Sequence, residues 1–258
     1  MRRVETVPRL VAAAVCVLGL AVFAPAPSSK ADDSALRICT TGDYPPLTYR
    51  DPTSGEYAGV DIDMGGDLAA TLGRVPVFVP TTWPTLSEDV ATPGRCDIAM
   101  GGISVTAARQ RIGTFTTAYM SSGKVPITQD ASAHRFTTLE AINQPGVRVI
   151  ENPGGTNEKF AREHFPLATL TIWSDNATIF DELAAGHADV MITDAIEARY
   201  QAARRPGLEA VNADRPFTQD EKAYLLPLGS PLLDAVDGWL RSALADGTFT
   251  GFYDRWMT

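Results

Sequence analysis

The chain has 258 residues, 45% of them hydrophobic and 21% charged, with 21 Gly and 18 Pro. That composition is ordinary for a folded globular protein and excludes a disordered, collagenous or coiled-coil chain. A formal net charge of −9 argues against nucleic acid and anionic membrane surfaces as partners, yet not against small anions, because a pocket sets its own local field.

Arg2 and Arg3 precede an apolar run over 10–24, followed by Pro25, Pro27 and the small-residue site Ser29-Lys30-Ala31. This is the pattern of an export signal, expected to span 1–31 and to be cut after Ala31. The run stops at 15 residues, short of the ~20 that a spanning helix needs. Cys16 lies in the middle of the run and follows Val15, a residue too large for lipoprotein processing, so no stable membrane anchor is expected. Losing Arg2, Arg3, Arg9, Lys30 and Glu5 leaves 18 basic against 30 acidic side chains. Cys39 and Cys96 survive. Oxidising surroundings permit a disulfide between them, but a chain of this length buries a core without one, and the simpler reading is two buried thiols.

Beyond the signal, periodicity predicts a strand over 36–40, a helix over 63–72, a strand over 75–79, a short helix after Pro84 and a strand over 97–100. The pattern then restarts: a strand over 147–150, a helix opened by Gly154-Gly155-Thr156-Asn157, a strand over 169–173, a helix over 178–185, a strand over 189–193 and a helix from Ala195. Two helical stretches, 232–244 and 249–256, close the chain. The restart predicts an α/β protein of two lobes, 32–123 with 224–258 and 124–223, joined by crossovers near 124–128 and 222–226. Ligands of such folds lie in the cleft outside the carboxyl ends of the parallel strands.

Several chemistries are missing from the sequence. It has no phosphate-binding loop, no dinucleotide fingerprint and no nucleophile elbow. His134, His164 and His187 are scattered without partners at metal-ligand spacing, and neither a metal nor a cofactor is expected. Asn176-Ala177-Thr178 matches a glycosylation acceptor but reads better as a helix start, capped by Asp175 or Asn176.

Polar residues instead gather at strand ends. Thr41, Gly42, Asp43 and Tyr44 follow the first strand. Gly101, Gly102 and Ser104 follow the third, with Arg109 a turn further on. Glycines let backbone amides approach a ligand, and a guanidinium grips a carboxylate through two parallel hydrogen bonds. In the second half, Gly154 to Asn157 opens a helix and offers amide donors to an anion. Simple tight turns are the alternative reading of those glycines. The small-molecule ligand implied has two negative groups, or one group gripped from both sides.

The order of elements, with Gly59-Val-Asp-Ile-Asp-Met64, Asp97-Ile-Ala-Met100 and Ile103-Ser-Val-Thr106 before Arg109, resembles the periplasmic amino-acid-binding proteins that serve ABC transporters, the two-lobed type II binding-protein fold. Thr41-Gly-Asp-Tyr44, Thr82-Trp-Pro84, Gly123-Lys124, the run from Asn152 to Arg162, Asp175-Asn176, Thr193-Asp-Ala-Ile-Glu-Ala-Arg199 and Glu221-Lys-Ala-Tyr-Leu-Leu-Pro227 are similar to the secreted cyclohexadienyl dehydratases. That family implies an enzyme on the binding-protein scaffold, converting prephenate to phenylpyruvate and arogenate to phenylalanine.

Loss of the ring hydroxyl needs an acid at the departing oxygen. Glu197, three residues after Asp194 and so about one helical turn into the cleft, is the candidate, and the resemblance implies the same assignment. Burial and the Asp194 charge would both favour its protonated form. Arg109, with Ser104 and Thr156, is expected to clamp the side-chain carboxylate, and Lys124 to pair with a second carboxylate or the keto oxygen. Trp83 can pack on the ring, and Asn152 and Asn157 can orient the hydroxyl or a carboxylate. Asp43 and Asp194 can meet an ammonium or hold other side chains. Gly65-Gly66 inside the first helix, an extra residue within 92–95 and the added charge of Glu151 depart from the family's pattern. The rival reading is a receptor that hands an amino acid to a permease.

Overall fold

The computed structural model describes Met1 and residues 34–258; the expected export signal lies outside the described residues. Two five-stranded sheets organise the chain. In the first, strand Ala35–Thr40 lies between Val75–Pro80 and Ile98–Ala99, parallel to both. Leu225–Pro227 and Gly113–Phe115 extend that sheet in antiparallel sense. In the second, Arg148–Glu151 runs parallel to Thr169–Ile172 and Val190–Asp194, and Lys124–Gln129 and Leu208–Ala210 are the antiparallel additions. The same plan thus occurs twice, a βαβ core with an antiparallel strand beside its central parallel group. The two passages between the sheets run side by side, Glu221–Lys222 antiparallel to Met120–Ser121.

The expected elements form with shifted ends. The first helix spans Val60–Thr71, three residues earlier than its apolar period suggests. The cause is Gly59, at φ 131°, whose hydrogen stands where a Cβ would lie 2.5 Å from the Leu47 carbonyl oxygen. That close approach lets the Pro46 and Leu47 carbonyls accept from the amides of Val60 and Asp61, so the first turn is satisfied from outside the helix. Helix Ile179–Ala184 begins after Thr178, and Asp175 accepts from the Ala177 amide and the Thr178 hydroxyl.

Each sheet has its own core. Leu36, Ile38, Val60, Met64, Leu68 and Ile98 pack with Trp239 and Leu240 of the closing helix Leu233–Ala245. The C-terminal segment therefore buries its apolar face on the first half of the chain. Val125, Ile127, Ile150, Phe180, Leu183 and Met191 form the second core.

Cys39 and Cys96 correct the sequence reading. They are joined as a disulfide, with Cα atoms 5.6 Å apart. Both are buried, as expected of thiols, but they share one small core with Leu86, Val90 and Ala99, and their separation lies within disulfide range.

Candidate active site

Most of the polar residues singled out at strand ends are brought to one cavity between the sheets or to the side chains around it. The cavity is nearly closed, with a free volume of about 20 Å³, room for about one water and far below the roughly 300 Å³ at which ligand pockets begin. Tyr44, Trp83, Gly102 and Ser104 line it from the first half of the chain, and Asn152, Thr156, Asn157, Asn176 and Asp194 from the second.

Asp194 is the centre of its electrostatics. It ends strand Val190–Asp194 and stands immediately before helix Ala195–Arg204, its side chain making no hydrogen bond to the helix's free amides. Its Oδ1 accepts from Lys124 Nζ at 3.0 Å, and its Oδ2 from Lys222 Nζ at 2.6 Å and the Tyr44 hydroxyl at 2.5 Å. Burial alone would raise its pKa; the two ammonium charges and their hydrogen bonds overcome that and hold it well below the usual carboxylate range. Lys124 also donates to Thr156 Oγ1 at 2.9 Å and to Asn157 Oδ1. Lys222 donates to Ser104 Oγ at 2.7 Å. Burial pulls the Lys222 pKa down, with Asp194 opposing.

Glu197, in the first turn of the same helix, has the opposite environment. It is fully buried. The Thr193 hydroxyl donates to its Oε2 at 2.5 Å, and its Oε1 has no hydrogen-bond partner. Burial drives its pKa well above the ordinary value; the Thr193 bond opposes this, and the charges of Asp43 and Asp194 reinforce it. Glu197 does not line the cavity. It reaches it through Thr193, whose Oγ1 accepts from Asn157 Nδ2 at 3.3 Å, and Asn157 stands at the wall beside Asn152, with Nδ2 3.4 Å from Asn152 Oδ1.

Arg109 is buried, and its Nη1 donates to the Ser104 carbonyl at 3.0 Å while the guanidinium lies 5.8 Å from the Trp83 ring centroid. It does not line the cavity, and no carboxylate lies within ion-pair distance of it among the described residues. Burial lowers its pKa to about 10, Asp194 opposing, so it stays charged at neutral pH. Trp83 meets Tyr44 edge-on, centroids 5.7 Å apart, and its Nε1 donates to Asp43 Oδ1 at 3.1 Å. Asp43 therefore sits behind the tryptophan rather than on the cavity wall.

Two expected backbone donors are already engaged. The Gly102 amide donates to Asp61 Oδ2 at 2.8 Å, and that carboxyl also accepts from the Tyr119 and Tyr224 hydroxyls. The Gly154 amide donates to Glu158 Oε2 at 2.6 Å, so at this amide the protein supplies its own anion. Glu151, read as a surplus charge, turns inward: it is fully buried, its Oε1 accepts from the Ile192 amide at 2.8 Å, and its Oε2 is unpartnered.

Sequence reasoning did not single out Lys222, Tyr44 or Asn176 as site residues. Asn176, in the motif read as a glycosylation acceptor or helix start, is buried and donates to the Asp43 carbonyl at 2.7 Å. Lys222 and Tyr44 were within the motifs, but only the meeting of residues 150 positions apart, as in Tyr44 with Asp194, reveals their function as partners.

A bilobal α/β fold with a polar cavity between its sheets defines a binding-protein scaffold. The sequence model of the bacterial extracellular solute-binding proteins, family 3, matches residues 36–258. The chain belongs to that family and, within it, stands with the cyclohexadienyl dehydratases. It is 48% identical over 226 residues to the cyclohexadienyl dehydratase of Pseudomonas aeruginosa, covering 88% of this chain and 84% of the relative. Among solved structures, it is similar to an ancestral amino acid-binding protein, a precursor of cyclohexadienyl dehydratase, at 34% identity with TM-score 0.80 over 87% of this chain and 96% of the other. It is also similar to an ancestral cyclohexadienyl dehydratase, at 48% identity with TM-score 0.53 over 89% and 97%.

Proposed function

We propose that the protein is a cyclohexadienyl dehydratase, a carbon–oxygen lyase that converts prephenate to phenylpyruvate and arogenate to phenylalanine. The observation that carries the reading is Glu197: a buried carboxyl whose surroundings favour its protonated form, left with one unpartnered oxygen, two hydrogen bonds away from a cavity whose wall residue Asp194 is held by two lysines. An amino-acid receptor has no need of a proton donor there.

Lys124 and Arg109 attract the two carboxylates, with Ser104 and Thr156 as hydroxyl donors. Asn152 and Asn157 orient the ring hydroxyl, Trp83 covers the ring, and Asp43 and Asp194 hold Trp83 and the lysines in place. Thr193 and Asn157 stand between Glu197 and the cavity in this structure, so closure around the ligand must bring the unpartnered Glu197 Oε1 to the ring hydroxyl; there it gives its proton, and the C–O bond breaks to release water. The ring carboxylate leaves as carbon dioxide, and the electrons of its broken C–C bond complete the aromatic ring. Glu197 regains a proton from solvent. Since the cavity is small for such a ligand, entry requires the lobes to part, and their reclosure removes water from the carboxylate that is lost.

Residues 1–31 serve as an export signal in this reading, and the lobes are 32–123 with 224–258 and 124–223. Membership of an extracellular family supports export, and no helix among the described residues is long and apolar enough to cross a membrane. The test is to mix purified protein with prephenate and follow phenylpyruvate in alkali. Tight binding of an amino acid with no product formed favours the receptor, the reading supported by the ancestral binding protein's fold.

A further inference from the structure

Asp194 is the only carboxylate residue lining the cavity among the described residues. A substrate that brings an ammonium group into this space has that one anion to meet. Both oxygens of Asp194 are already taken, Oδ1 by Lys124 and Oδ2 by Lys222 and Tyr44. Two ammonium groups thus face one carboxylate, and Arg109 adds a third buried cation with no carboxylate within ion-pair distance. Neither Glu197 nor Glu151 shares a hydrogen bond or ion pair with these cations.

Lys222 is the distinctive member of this cluster. It is fully buried on the passage between the sheets, its Nζ fixed on one side by Ser104 Oγ at 2.7 Å and on the other by Asp194 at 2.6 Å, with the Tyr44 ring centroid 5.8 Å away. It does not line the cavity; it meets two residues that do, Ser104 and Asp194, from behind, and takes the Asp194 Oδ2 that a ligand ammonium would need. A ligand ammonium entering there would meet like charge in a site with little water to screen it. A second carboxylate on the ligand would meet surplus positive charge instead.

We propose that Lys222 is a specificity-determining residue: by standing in for a ligand ammonium at Asp194, it makes this cavity select a doubly negative keto acid over the corresponding amino acid. Resting on the dehydratase reading, this names prephenate, with two carboxylates and no ammonium, as the preferred substrate over arogenate.

The test compares kcat/KM for prephenate and arogenate with the native protein, Lys222→Met and Lys222→Arg. The native ratio is expected to favour prephenate at least tenfold, to fall at least tenfold in Lys222→Met, where Asp194 is freed on one side, and to stay high in Lys222→Arg, which keeps the charge. A native ratio of one or below overturns the proposal, as does an unchanged ratio in a folded Lys222→Met. Should Lys222→Met fail to fold, the native protein decides by competition binding of phenylpyruvate against L-phenylalanine. Keto acid held at least tenfold more tightly supports the proposal; equal or tighter amino acid binding overturns it. Turnover of neither substrate refutes the dehydratase reading, and the binding pair then judges the charge argument by itself, with binding of neither ligand sinking both.

Discussion

Replacing Glu197 by Gln separates catalysis from stability. The protonated carboxyl and the amide have nearly the same shape, and the Gln carbonyl can still accept the Thr193 hydroxyl that Oε2 accepts now. Because the folded-state pKa of Glu197 lies above its unfolded value, the native state keeps a proton that the unfolded chain loses above about pH 4.3. Stability contributed by this group is therefore present at low pH and is lost as pH rises through the folded value. Glutamine removes that loss, so Glu197→Gln is expected to melt at the same temperature as the native protein or higher at neutral pH. A general acid contributes typically 10²–10⁴ in rate, or about 3–5 kcal/mol of barrier, and turnover of prephenate should fall by that factor. Phenylpyruvate absorbance in alkali measures the rate, and a thermal melt run beside it confirms folding. Turnover within tenfold of native in a folded variant would refute the assignment. A melt lowered by many degrees would show instead that Glu197 is ionised and paired in the native protein.

Three further outcomes follow from the geometry. The Cys39–Cys96 disulfide closes a loop of 57 residues, worth about 4 kcal/mol of unfolded-state entropy, so the double variant Cys39→Ala with Cys96→Ala should melt about 8–16 °C lower, and an unchanged melt would exclude the bond. Asp61, raised by burial from 3.8 to about 6 against the bonds from Tyr119, Tyr224 and Gly102, takes up a proton in the native state first; stability should fall by about 3 kcal/mol as pH rises from 4 to 7, and urea titrations should find this slope flattened in Asp61→Asn. Gly154, at φ 75°, lies so close to Pro84 that a Cβ would stand 2.8 Å from its backbone; since that contact joins the two halves of the chain, Gly154→Ala should hinder closure, raising KM and lowering kcat, while the left-handed backbone costs the alanine about 1–2 kcal/mol and lowers the melt by about 2–8 °C.

How much of this was legible in the sequence depended on whether a residue's partner was local. The alternating strands and helices were visible because Leu36, Ile38, Val149, Met191 and their neighbours repeat apolar character at the period of the element they form. Strands of two or three residues, such as Asp43–Tyr44 and Glu221–Lys222, are too short to carry a period. They are the segments that deliver Tyr44 and Lys222 to Asp194. Ser104, Thr156, Asn157 and Asp194 were recognisable from their places at strand ends and helix starts. The engagement of the Gly102 amide by Asp61 was not, because it needs a carboxyl from a helix that starts three residues before its periodicity suggests. The disulfide was open for the same kind of reason: spacing in sequence says nothing of which strands become neighbours.

Asp194 and Glu197 show how one short segment yields two opposite acids. They are three residues apart at a single strand-to-helix junction, both fully enclosed. Asp194 faces two ammonium groups and a phenol and is held as an anion; Glu197, one turn on, meets a single hydroxyl and is held as an acid. Pairs of carboxyls driven apart in this manner separate the binding role from the proton-donating role. The division also explains why the lysines matter beyond attraction. Without Lys124 and Lys222, burial would push Asp194 toward its protonated form as it does Glu197, and the contrast between the two groups would be lost. The cations therefore fix which carboxyl carries the proton before any substrate arrives.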